Sequence, residues 1–368
     1  MKSAIARNRR TRVVALASAA GVALALGACS SSSGGSGGGA TAASGEKIGV
    51  TLITKDSNNP FFVTMQTGAK AFAQKQGNIT LTVASGKQEG DDQGQITAIE
   101  DAIARGDKGI LITPMSTGVN AAMKKARDAK LFVIALDTPP DPPDTVDITF
   151  ATNNRNAGKL DGQWAAAQLD GKPAVIALLD LFDDKIVSVD YNRDQGFLEG
   201  MGITDIGDKK KNGDEPKTGT YSGGDYQIVG NVATGANEEG GRTGMEQLLS
   251  KNKDINVVYT INEPTAAGAS AALKAAGKSD VIVVSVDGGR AGVEAVKAGT
   301  INATSQQYPL KMASLGVKAI VKIVKDGTKP QNSPGLDFYN TGVTPITDEP
   351  MEGVDSKDSA YGLENAWG

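Results

Sequence analysis

Histidine is absent from all 368 residues. Without it there is no Ser-His-Asp or Cys-His catalysis, and the commonest zinc ligand is missing. Cysteine occurs once, at Cys29, so no intrachain disulfide can form. Positive charge is scarce as well. The chain carries 38 basic and 42 acidic residues, and five of the basic ones precede position 13; the remaining 33 against 42 give a net charge of −9. With no basic block beyond Lys209-Lys210-Lys211, nucleic acid is not expected as a partner. A phosphate loop is also missing. Gly277-Lys278-Ser279 lacks the preceding glycine and falls at the end of a helix, where it reads as a C-cap turn. No cofactor and no metal is expected.

What is present begins with five basic residues (Lys2, Arg7, Arg9, Arg10, Arg12) and the 14-residue apolar run Val13–Leu26. That run is too short to span a bilayer and has the layout of an export signal. It closes on Leu26-Gly27-Ala28-Cys29, which resembles the lipobox of bacterial lipoproteins. The resemblance implies cleavage after residue 28 and a lipid on Cys29, with the mature protein held on the outer face of the cytoplasmic membrane. Ser30 to Gly45 contains only Ser, Gly, Ala and Thr. Such a segment buries nothing and reads as a tether of about 20–25 Å.

The roughly 320 residues that follow exceed what one core serves, so two lobes are expected. Short apolar runs alternate with helix-like stretches. The runs include Ile48–Thr54, Gly109–Thr113, Leu131–Asp137, Ala174–Asp180 and Val281–Asp287; the helical stretches include Pro60–Gln76, Gln93–Arg105, Gly118–Ala129 and Pro264–Ala276. This pattern predicts an α/β fold of two doubly wound parallel-sheet lobes. One internal repeat locates a site within it. Ile110–Pro114 followed by Leu131–Asp137 matches Val258–Pro264 followed by Val281–Asp287, with 23 residues from proline to aspartate in each. Each copy reads as strand, proline-opened helix and strand ending in an aspartate. Open parallel sheets bind ligands beyond the carboxyl ends of their strands. Asp137 and Asp287 are therefore expected to face one cleft, although capping a following helix would also explain them singly.

Asn58-Asn59-Pro60-Phe61-Phe62, Arg193-Asp194-Gln195-Gly196-Phe197, Asn262-Glu263-Pro264, Val286-Asp287-Gly288-Gly289 and Thr304–Pro309 occur in that order. Together they resemble the periplasmic sugar-binding proteins of the ribose-binding type, the type I substrate-binding proteins of ABC importers. Ala135–Pro139, Val258–Pro264 and Gly362–Gly368 resemble the fructose-type branch most. The resemblance implies a monomeric, non-enzymatic receptor that closes two lobes on a monosaccharide and delivers it to a membrane permease. A receptor feeding a membrane sensor, and a binder of ribose or xylose, are the alternatives.

The residue chemistry suits that role. A sugar offers hydroxyls that donate and accept, and apolar C–H faces. Asp137 and Asp287 accept, Arg193 donates in a fork, and Asn59, Asn262 and Gln307 do both. Phe61 and Phe62 are expected to sandwich the sugar ring. For Asn59, a role solely as the N-cap before Pro60 is the alternative. Where the ribose type has an arginine after the first aspartate this chain has Thr138, and the aromatic expected near Ala236 is lost. Lys55 stands in place of a small hydroxyl residue. These departures point to a ketohexose and add Lys55 and Thr138 to the ligand-binding candidates. Residues 46–151 and 308–336 are assigned to lobe one, and 152–307 and 337–346 to lobe two. Their crossings are placed at 152–154, 307–309 and Pro334-Gly335, and 347–368 forms an extension whose Trp367 docks on the body.

Overall fold

Strands that are apolar on both faces are buried along their length, and in the computed structural model, which describes residues 47–368, they assemble into two sheets. The leader, Cys29 and the Ser/Gly stretch lie outside the described residues. The first half runs β1 (Ile48–Thr54), α1 (Pro60–Gln76), β2 (Ile79–Ser85), α2 (Asp92–Arg105), β3 (Gly109–Ile112), α3 (Asn120–Asp128), β4 (Phe132–Leu136) and β5 (Ile148–Ala151). The second half begins with α4 (Asn154–Leu169), β6 (Ala174–Asp180), α5 (Ser188–Met201), β7 (Thr218–Tyr221), β8 (Gly224–Ala233) and α6 (Glu238–Lys251). It continues with β9 (Val257–Thr260), α7 (Glu263–Ala275), β10 (Ile282–Asp287), α8 (Arg290–Lys297) and β11 (Ala303–Gln306). Last come α9 (Pro309–Asp326), β12 (Tyr339–Asn340), β13 (Thr344–Ile346) and α10 (Ser359–Asn365).

The first sheet has the order β2-β1-β3-β4-β5-β12 and is parallel throughout. The second has the order β7-β8-β6-β9-β10-β11-β13 and is parallel except at its outermost strands. Strands β2-β1-β3-β4-β5 and β8-β6-β9-β10-β11 therefore repeat one topology. Each sheet carries an apolar core on both faces, as a doubly wound fold requires. Helix α9 returns to pack on the first sheet through Met312, Val317 and Ile320.

Two expectations are corrected here. The third crossing lies at 341–343, because Tyr339 and Asn340 pair with Phe150 and Ala151 of the first sheet. Tyr339 also packs its ring 5.4 Å from that of Phe150, which keeps 337–340 in lobe one. The two repeat copies also differ at their prolines. Pro264 sits in the first turn of α7, whereas Pro114 is separated from α3 by Met115, Ser116 and a 3-10 turn at Thr117–Val119.

Candidate functional site

Asp137 follows β4 directly with φ of 64°, and Asp287 ends β10 with φ of 151°. Ala236, between β8 and α6, has φ of 56°. Such backbone costs about 1–3 kcal/mol in a residue with a side chain and persists where its surroundings impose it. All three line one cavity, which is formed at the carboxyl ends of strands from both sheets.

Arg193 lines that cavity between the two aspartates. Helix α5 carries it, and α5 crosses α4 so closely that a Cβ at Gly158 or Gly196 would strike the carbonyl of Arg193 or Arg155. Arg193 Nε donates to Asn154 Oδ1 at 2.7 Å, and its Nη1 donates to the Ile261 carbonyl at 2.9 Å. The fork then lies 3.9 Å from Asp137 Oδ1 and 4.0 Å from Asp287 Oδ1. A guanidinium between two carboxylates suits fixed recognition of polar groups and not an acid–base pair.

The two aspartates have different surroundings. Asp287 Oδ1 accepts from Gln307 Nε2 at 2.8 Å. Burial pushes its carboxyl up to about 6 and Asp137 adds to this, while Arg193 and Gln307 hold it down. Behind it Glu263 accepts from the Gly288 and Gly289 amides and the Thr304 hydroxyl, fixing the turn that follows β10. Burial, then the charge of Asp287, raises the Glu263 carboxyl to about 8. Asp137 has one local partner, the Thr138 hydroxyl, at 2.7 Å from its Oδ2.

Nine of the ten ligand-binding candidates line the cavity: Lys55, Asn59, Phe61, Phe62, Asp137, Arg193, Asn262, Asp287 and Gln307. Thr138 does not, and its hydroxyl is spent on orienting Asp137. Some roles differ from expectation. Asn59 and Asn262 are N-caps, accepting from the amides of Phe61 and Thr265. The Asn262 oxygen takes the Thr265 hydroxyl too, and its amide donates to the Ala236 carbonyl. Phe61 and Phe62 meet edge to face, with centroids 5.4 Å apart and planes at 85°. Rings so arranged wall adjacent sides of a cavity and cannot sandwich a sugar between parallel faces. Both are buried in the core of lobe one.

Residues not anticipated complete the wall. Glu89, which follows β2, faces the buried Lys55 with Nζ to Oε2 at 3.9 Å. Burial raises its carboxyl to about 7 against the pull of Lys55. Leu181, Val189 and Ile261 supply apolar surface. Trp367, expected to dock on the body, does so beside the site, donating its indole N–H to the Gln307 carbonyl at 2.9 Å and setting its ring edge-on to Phe61 at 5.3 Å. Nothing in the local sequence marks Glu89, because its loop lies nearly 50 residues from Asp137 in the chain.

Two doubly wound lobes enclosing a polar cavity between their strand ends define a solute-binding protein. Residues 48–329 match the family described as periplasmic binding protein domain, and the chain belongs to that family. The ribose import binding protein of Salmonella typhimurium is 29% identical over 290 residues, covering 78% of this chain and 88% of that one. The galactofuranose-binding protein of Escherichia coli is 31% identical over 272 residues, covering 72% and 78%. Among solved structures, an ABC transporter solute binding protein from Agrobacterium vitis with bound D-fucose aligns with a TM-score of 0.71. It is 25% identical, over 87% of this chain and all of that one. These relatives bind solutes for transport, and the chain is a binding protein of this kind and not an enzyme.

Proposed function

We propose that the protein is an exported, lipid-anchored receptor that closes two lobes on a monosaccharide, with fructose first among candidates, and passes it to the permease of an ABC importer. One observation carries the reading. Asp137 Oδ1, Glu89 Oε2 and Gln307 Oε1 are buried, face the cavity and have no hydrogen-bond partner. Buried acceptors left unpaired cost about 1–3 kcal/mol each. A neutral polyol brings several hydroxyl donors at once, and its ring oxygen and remaining lone pairs suit Arg193. The relatives' sugars support the class. Thr138, Lys55 and the absence of an aromatic at Ala236 support a sugar other than ribose.

As it stands the cavity holds only about 30 Å³, room for a water molecule or two. A sugar enters only when the lobes separate, and the crossings at 152–154, 307–309 and 341–343 are the natural hinge. Calorimetric titration with fructose, ribose, xylose, galactose and allose tests the reading. One sugar is expected to bind at about micromolar affinity, near −8 kcal/mol. Silence across that panel, together with tight binding of an amino acid, overturns it. The anchor has its own test. Cys29→Ser is expected to abolish lipidation and to release the protein from membranes or leave it uncleaved, and an unchanged anchored form in membrane fractions rules the anchor out.

A further inference from the structure

The segment 347–368 lies beyond the matched family domain, yet it reaches two residues that line the cavity, Phe61 and Gln307. It is fastened to lobe two along its length. Thr347 and Pro345 exchange backbone hydrogen bonds with Lys357, and the Ser359 amide donates to Asp348. Helix α10 packs on α8 and β13, where a Cβ at Gly362 would press on Ile346 and Val293. Gln306 Nε2 donates to the Gly362 carbonyl at 3.0 Å. These contacts deliver Trp367 to the seam between the lobes. There its carbonyl accepts from the Arg290 amide at 2.9 Å, and its ring lies over Gly289, two residues after Asp287.

The same ring belongs to the apolar core of lobe one. It stands edge-on to Phe61, with planes at 79°, and Phe61 lines the cavity. Its N–H holds the carbonyl of Gln307, whose side chain holds Asp287. One residue thus backs a cavity wall from lobe one, the turn after the aspartate from lobe two, and a hinge crossing. Trp367 is only 6% exposed, so this is a packed joint and not a resting tail.

We infer that Trp367 is a positioning residue of the binding cavity, and that the segment 347–368 is a strap that holds the closed arrangement by gripping Phe61 across the seam. The inference rests on the sugar-receptor reading for what the cavity holds, but the strap acts with or without sugar. Closed forms gain the Trp367–Phe61 contact and open forms lose it, so its removal lowers the closed fraction and with it the apparent affinity.

The test compares wild type, Trp367→Ala, Trp367→Phe and the surface control Glu364→Ala on the full folded chain. Small-angle scattering without sugar reads lobe separation, and titration with the best-binding sugar of the panel reads affinity. Trp367→Ala is expected to expand in the absence of sugar and to bind about tenfold more weakly, through faster release. Trp367→Phe keeps the edge-on ring and is expected to recover the compact form and most of the affinity. Glu364→Ala is expected to match wild type. Thermal unfolding in parallel separates a general fold defect from a lost strap. If Trp367→Ala is as compact as wild type without sugar, the strap is wrong, even when its melting temperature falls; so it is if Trp367→Phe fails to recover compactness. If wild type binds no sugar, the sugar reading fails, while the scattering comparison still decides the strap.

Discussion

The two lobes share a strand order and an aspartate after the fourth strand, and they use it differently. In lobe two, Asp287 is built into a network: Gln307 donates to it, Glu263 fixes the turn behind it, and Arg193 faces it from α5. In lobe one, Asp137 shares Arg193 at 3.9 Å but accepts a hydrogen bond only from Thr138, and its other oxygen is without one. Lobe one instead contributes the aromatic edge of Phe61 and Phe62 and the Lys55–Glu89 pair. The same topology therefore yields a holding half and a covering half. Topology fixes where a strand ends and what can face a cleft, while the residues next to the aspartate decide how much of its charge is committed in advance.

The largest effect should expose that asymmetry. Asp287→Ala removes a sugar acceptor and also strips Gln307 and Arg193 of a partner, so it is expected to cost about 2–4 kcal/mol of binding. That is roughly a thirty- to thousandfold loss of affinity. Asp137→Ala removes one acceptor and leaves only the Thr138 hydroxyl and one side of Arg193 unpaired, and its cost should be about 1–2 kcal/mol. Calorimetric titration of both variants checks the order. Equal losses, or a larger loss at Asp137, would show that the lobes contribute alike and that the network around Asp287 is structural only.

Much of this was legible in the chain. The alternation of apolar runs with amphipathic stretches announced the fold, and the matched spacing from Pro114 to Asp137 and Pro264 to Asp287 placed both aspartates at strand ends. The illegible parts have physical causes. The mutual angle of Phe61 and Phe62 is set by packing against Trp367 and the lobe-one core, which no local pattern encodes. Glu89 reaches the cavity from a loop, and Asn154 holds Arg193 from a helix start, in relations that exist only after the lobes assemble. The edge strands β7 and β12 are short and half exposed, so their periodicity is weak. The N-cap roles of Asn59 and Asn262 were foreseeable from their places before Pro60 and Glu263, and the structure shows that capping and lining a cavity are compatible, because a cap points its side chain at the helix start that the cavity adjoins.

The smallest of the expected effects is on pH, and it separates the holding half by sign. Buried among Glu263, Asp137, Gln307 and Arg193, the Asp287 carboxyl titrates near 6 in the folded chain, above the ordinary 3.8. Between those values the folded state binds more protons than the unfolded state, so the contribution of Asp287 to stability falls as pH rises through that window. Sugar binding runs the other way. Hydroxyls donate to the ionised carboxylate, so binding favours the deprotonated form, releases a proton near pH 6, and weakens below it, by about tenfold per unit at most. From pH 7.5 to 5 wild-type affinity is expected to drop about tenfold, while Asp287→Asn, with nothing to titrate there, should show a flatter profile from a weaker start. Relative to wild type, the same variant should gain thermal stability as pH rises from 4 to 7. The difference between the two proteins reports Asp287 together with the part of the Glu263 shift that its charge causes, since Glu89 is common to both. Parallel affinity profiles for wild type and Asp287→Asn would mean that the charge on Asp287 is not what the ligand reads, and the holding role would pass to Arg193 and Gln307.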